Sequence, residues 1–191
     1  YIAIPPNEVV DRVRKNMQVN AQEKIRRLDS VKGSPLLTEL DTLHTQGIAL
    51  VDPTEMSGCL RGRTNVYNHL DFLIKESKKS INIMTTEKGF MRKVEGLRAS
   101  MEKAKKRGVR IRISAPISKD NKSVADSLKN VAEIKHNSTV NSRFVTVDGQ
   151  DVVFMTQNDK EVHPSYDIGV WVKTPYFTSA MDNLFNTVWA L

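Results

Sequence analysis

Three polar residues past the middle of the chain are of types that can hold an anion or a polar group: Asn141-x-Arg143-x4-Asp148. A side chain that attacks phosphorus needs a free lone pair able to form and release the bond, as an imidazole nitrogen has. The amide nitrogen of Asn141 has its lone pair delocalised into the carbonyl, so no covalent intermediate is expected there. Arg143 offers a planar cationic fork that matches carboxylate or phosphate. Asp148 precedes Gly149 and reads first as a turn residue. The three together predict a place that holds an anion or a polar ligand and lacks a nucleophile.

The element that positions them is a β-hairpin over Ser142 to Met155. Apolar residues alternate through Phe144, Val145 and Val147, Asp148-Gly149 makes the tight turn, and Val152 to Met155 runs back. The spacing resembles the phospholipase D signature His-x-Lys-x4-Asp with two of its three residues changed, which implies a disabled form of that superfamily.

The chain has 191 residues and a net charge of +7. That allows one ordinary domain with an appendage. No apolar run approaches the ~20 residues needed to cross a membrane, so a soluble, cytoplasmic protein is expected. The single cysteine, Cys59, excludes an internal disulfide framework and a cysteine-built zinc site. His44, His69, His136 and His163 lack near neighbours at metal-binding spacing, so neither a metal nor a cofactor is expected. No Gly-x-Ser-x-Gly turn supports a serine hydrolase. Tyr1 in place of an initiating Met suggests a piece of a longer protein. Ten basic residues between Lys88 and Arg112, against Glu95 and Glu102, hold the whole cationic excess. Such a stretch is either a solvated helix face or an electrostatic footprint for nucleic acid.

In chain order, a helix is expected from an Asn7 cap to about Lys32, with Val10, Val13, Met17, Ala21, Ile25, Leu28 and Val31 on one stripe. A strict heptad from Val10 fails at Asn20, Lys24 and Arg27, which disfavours a long coiled coil. Ser34-Pro35 starts a second helix ending at Gly47, so residues 1–47 read as a helical linker or dimerisation arm. Residues 48–191 read as one α/β domain. It should hold a short strand at Ile48 to Val51, a polar loop from Met56 to Arg63, and a helix from about Asn65 with Val66, Leu70, Leu73 and Ile74 inward. Strands at Ser80 to Thr86, Val109 to Ala115 and Glu133 to His136 alternate with helices from about Lys88 and over Lys122 to Val131. This rhythm predicts parallel strands with helices on the sheet faces. The hairpin, a strand at Asp167 to Lys173 and a last helix from Pro175 complete a mixed sheet.

Ligands of open α/β sheets bind beyond the carboxyl ends of the strands. Here that rule gathers Thr85, Thr86 and Glu87 with Asn141, Arg143, His163 and Tyr166 as candidate ligand-binding residues; separately, Arg61 and Arg63 beside a helix N-terminus are either a possible anion site or partners of carboxylates across the domain. Hydroxyls, amides and charges of this kind suit a small polar ligand.

Four strings, in this order, resemble the effector-binding region of archaeal TrmB-type transcriptional regulators: Ala3 to Pro6, Leu60 to Arg63, Ile83 to Gly89 and His163 to Val172. The resemblance implies a catalytically inactive phospholipase D-like mixed sheet with helices on both faces, preceded by an α-helical arm. It implies a homodimer through the N-terminal helices, a small effector such as a sugar or anionic metabolite, and DNA binding through a winged-helix domain that this chain lacks. Two alternatives stay open: a phospholipase D-type phosphodiesterase or nuclease using His136 or His163, and direct nucleic-acid binding through residues 88–112.

Overall fold

The computed structural model describes residues 5–47, 56–138 and 141–191. Contacts divide the chain into two units, Tyr1–Val51 and Asp52–Leu191. The strand expected at Ile48 to Val51 lies outside the described residues.

The first unit holds α1 (Pro6–Val31) and α2 (Pro35–Gly47). Pro5 occupies the cap position of α1 and Pro6 its first turn, where a missing N–H costs nothing. Asn7 is thus inside the helix, not its cap as expected. Ser34 does cap α2, its hydroxyl accepting from the Leu37 N–H at 3.3 Å. The apolar stripe of α1 is exposed along its whole length, and so are Leu36, Leu37, Leu40 and Leu43 of α2.

The second unit contains β1 (Ser57–Arg61), α3 (Arg63–Glu76), β2 (Ser80–Met84), α4 (Glu87–Lys106), β3 (Arg110–Ala115), α5 (Lys122–Ser127), β4 (Glu133–His136), β5 (Phe144–Val147), β6 (Asp151–Met155), a 3-10 turn at Pro164–Tyr166, β7 (Ile168–Lys173) and α6 (Pro175–Ala190). These strands form one mixed sheet in the order β1-β7-β6-β5-β2-β3-β4. As expected, β2, β3 and β4 run parallel, while β5, β6 and β7 join antiparallel.

Two expectations need correction. The supposed loop from Met56 to Arg63 is largely strand β1, paired antiparallel with β7. The expected helix to Val131 ends at Ser127; tight turns carry Leu128 and Val131 back into the core instead.

Period-two alternation sends Ile81, Ile83, Ile111 and Ile113 toward the larger core under α3, α4 and α5. Met84 and Phe144 point the other way and pack with Phe185 and Val188 of α6. Helices therefore lie on both faces. Phe177 and Leu184 of α6 are exposed.

The hairpin turns through Asp148 and Gly149, both left-handed with φ of 57° and 68°. Asp148 does more than turn the chain. Its carboxylate accepts from the backbone N–H groups of Lys78, Lys79 and Ser80 at 2.7, 2.7 and 2.9 Å, clamping the hairpin to the start of β2. Asp148→Asn keeps an acceptor and tolerates positive φ, but gives up charge and one oxygen. It should lower stability by about 1–2 kcal/mol, measured as the change in urea midpoint.

Candidate functional site

Register aligns one rim of the sheet. Arg61 pairs with Ile168, Met84 with Phe144, and the N–H of Met155 donates to the carbonyl of Arg143. The ends of β1, β2 and β6 and the starts of β5 and β7 thus share an edge, which holds most of the candidate residues.

At its centre Arg143, 6% exposed, grips Asp167, 1% exposed, with Nη1 and Nη2 at 3.1 and 2.8 Å. Nη1 also donates to the Gln157 carbonyl at 2.7 Å. Arg63, at the start of α3, donates Nε to the same carboxylate at 3.0 Å. The fork expected to meet a ligand is therefore already filled by the protein's own carboxylate. Burial alone would push the Asp167 pKa up, but hydrogen bonds from Arg143 and Arg63 overcome this and hold it below the ordinary range.

A second carboxylate sits beside the first cluster. Thr86 caps α4 by accepting from the Gly89 N–H at 3.0 Å and donates to Asp159 at 2.9 Å. Arg92 also donates to Asp159. Gly89 leaves the room this needs, since a Cβ there would stand 2.4 Å from the Thr85 hydroxyl. That hydroxyl accepts from the Nζ of Lys93 at 3.1 Å. Lys93 is 2% exposed, and its Nζ lies 5.6 Å from the centre of the Tyr67 ring. Burial, with Arg143 and Arg92 adding to it, pushes the ammonium pKa down to about 7. The Tyr67 hydroxyl is pushed up by burial against the pull of Arg92, Arg143 and Arg63.

The remaining candidates sit apart from this cluster. Glu87 accepts from Ser118. Asn141 is exposed. His163 accepts the Ser165 N–H at 3.3 Å, and Tyr166 carries the Arg61 guanidinium 5.6 Å from its ring centre. His163 and Tyr166 line an open cavity of about 570 Å³ on the crossing after β6. His136 ends β4 and faces the loop after β3, where its Nδ1 accepts from the Ile117 N–H at 3.0 Å.

Sequence reasoning missed Lys93, Arg92, Asp159, Asp167 and Tyr67. Lys93 did leave a signal: it falls on the buried stripe of α4 between Phe90 and Leu97. The basic stretch 88–112 does not form one face. Arg107 donates to carbonyls at the end of α3, Arg110 pairs with Glu133, and Arg112 lies on the α6 side between Asn82 and Asn186. Among the described residues, no group of three His, Cys, Asp or Glu could hold a metal ion. No described helix is long and apolar enough to cross a membrane.

Residues 59–190 match the family model described as "Transcriptional regulator TrmB, EBD N-terminal subdomain". No curated protein matches. Among solved structures, TrmBL2, an archaeal chromatin protein, aligns with a TM-score of 0.56 at 16% identity, over all of this chain and 71% of its own. NucT from Helicobacter pylori aligns with a TM-score of 0.55 at 11% identity, over 70% of this chain and 95% of its own. The phospholipase D family member Nuc from Salmonella typhimurium aligns with a TM-score of 0.50 at 16% identity over the same shares. At these identities the likeness is one of fold, a phospholipase D-like mixed sheet.

Proposed function

The chain belongs to the TrmB family of transcriptional regulators, and from that premise we propose that residues 48–191 bind a small polar effector at the sheet rim without turning it over. The observation that carries this reading is the chemistry of positions 141 and 143. An amide stands where phosphoryl transfer would need an imidazole, and the arginine two residues on is bound to Asp167. His136 and His163, the remaining histidine candidates, are each engaged by local backbone N–H groups.

The helices of residues 1–47 serve as the dimerisation arm, their exposed apolar stripe covered by the same stripe of a second copy. DNA is contacted in the full-length regulator through a winged-helix domain outside this chain. A ligand can act on such a protein only by binding two arrangements of the dimer with different affinity.

Thermal unfolding with sugars and phosphorylated metabolites tests the effector reading. A true ligand at 100 times its Kd should stabilise the domain by about 2.7 kcal/mol. No shift with any probe or with a small-molecule cell extract speaks against a sensor. Turnover of a chromogenic phosphodiester, abolished by changing His136 or His163, would replace the sensor with an enzyme.

A further inference from the structure

Between α3 and α4 runs a groove of about 710 Å³. Arg63, Tyr67 and Arg92 line it on the side of the rim, and Asn68, Asp71 and Ser100 line it farther along the helices. None of the candidate residues expected from sequence lies in it except Arg63. We propose that this groove binds the oxyanion group, phosphate or carboxylate, of a small metabolite, with Arg63 and Arg92 as its cationic contacts and the polar groups of Asn68 and Ser100 beside the rest of the molecule. The proposal rests on the effector-binding reading and names the ligand's chemistry and its place.

Charge and hydrogen bonding carry the inference together. Four cationic side chains, Arg63, Arg92, Lys93 and Arg143, surround two carboxylates, Asp159 and Asp167. That ensemble is therefore short of negative charge, while Glu95 and Asp71 are the carboxylates on the groove lining itself. The ensemble's hydrogen bonds are incomplete too: Arg63 Nη2, on the groove side, and Arg143 Nε are enclosed donors without a partner, and Asp159 Oδ1 is an enclosed acceptor without one. Buried donors left unpaired are costly and uncommon. An oxyanion brings acceptors and charge at once, and arginine forks are the side chains best shaped to take it. The far end of the groove is different in kind. Ser100 donates to Asp71, which also pairs with Lys75, so that end carries neutral and acidic groups suited to hydroxyls. A ligand with one charged end and a hydroxylated body fits that polarity.

Anion binding should also draw a proton onto Lys93. The charged groups facing it are Arg143 just before β5, Arg92 from α4, and Asp159 and Asp167 from the crossing before β7, with Tyr67 of α3 as the titratable hydroxyl beside it. An added negative charge next to these cations favours the ammonium form. If it raises the Lys93 value by about one unit, affinity should be about fourfold higher at pH 7 than at pH 8.5.

The test is calorimetric titration of the full chain with glucose 6-phosphate, inorganic phosphate, malate and glucose, for wild type and two variants. Ala99→Phe fills the groove from an exposed position of α4 and leaves the charged cluster alone. Arg92→Gln removes one cationic contact. The expected result is binding of glucose 6-phosphate or malate, with proton uptake at pH 7, weakened at least about tenfold in both variants while the unfolding midpoint of Ala99→Phe stays at the wild-type value. Which of the two binds tells phosphate from carboxylate. Binding of glucose alone, unchanged in Ala99→Phe, overturns the groove proposal and leaves the effector reading standing. Binding of inorganic phosphate alone, unchanged in Ala99→Phe, also overturns it. No binding of any probe, combined with no thermal shift from a cell extract, overturns both.

Discussion

Replacing Asp167 by alanine is expected to cost about 3–5 kcal/mol of stability, the range for breaking one side of a buried ion pair. Asp167 is the shared acceptor of Arg143 and Arg63, and neither its own carboxylate nor the Arg143 side chain reaches solvent to any useful degree. Removing it leaves two guanidinium groups, one of them buried, without their shared acceptor. The check is the urea midpoint of the variant against wild type, followed by circular dichroism. A double variant, Asp167→Leu with Arg143→Met, should recover part of the loss, because the apolar pair removes the more buried guanidinium and leaves only Arg63, 15% exposed, without its acceptor. The pH dependence has a definite sign. The folded-state pKa of Asp167 is depressed, so its contribution is fully present above the unfolded value of about 4 and disappears as pH falls through the lower folded value. Wild type and Asp167→Ala should therefore converge in stability in strong acid and differ most at neutral pH. A midpoint unchanged at pH 7 would mean that Arg143 finds other acceptors.

Lys93→Met should change the shape of the stability profile. The folded-state value of Lys93 is lowered from 10.5 to about 7, so across that interval the unfolded chain holds a proton that the folded chain does not. Stability must then rise with pH through the window, at up to about 1.4 kcal/mol per unit. The penalty is fully present below the lower value and absent above the upper one. Methionine has nearly the same length and no charge to desolvate. The variant should be more stable than wild type near pH 6, lose that advantage progressively, and be slightly less stable near pH 10, where it lacks the hydrogen bond to Thr85. Urea midpoints at about pH 6, 8 and 10 decide this. Parallel profiles would show that Lys93 keeps its proton in the folded protein.

The parts of the fold that were legible are those where one residue type repeats at one period. Ile81 and Ile83, then Ile111 and Ile113, announce strands, and Gly108 with φ of 89° marks the break between α4 and β3. The Asp148-Gly149 turn was legible for the same reason, since few residues adopt its backbone. Strand β1 was not. Its Gly58 and Cys59 have little β character, and it exists because β7 offers a partner and because Gly58 makes room for the Trp171 ring. The site was legible only in outline. The rim rule brings Thr85, Thr86 and Arg143 to one place, but what they do there depends on Asp159 and Asp167, whose bonds to Thr86 and Arg143 span 73 and 24 residues. No local pattern reports a partner at that distance. Along the chain Lys93 is one of ten basic residues; around the helix it falls among Phe90, Val94 and Leu97.

The pairing of β1 with β7 joins residues 57–61 to residues 168–172, the first described strand to the last described one. A strand at the margin of a sheet has one neighbour to hold it, so β1 stays frayed until the final strand has been synthesised. During translation the ribosome must therefore release almost the entire domain before the sheet can close. Contacts between such remote positions slow folding. A nascent chain halted before residue 168 would present the open side of β6 to other chains in the cell, with aggregation as the consequence.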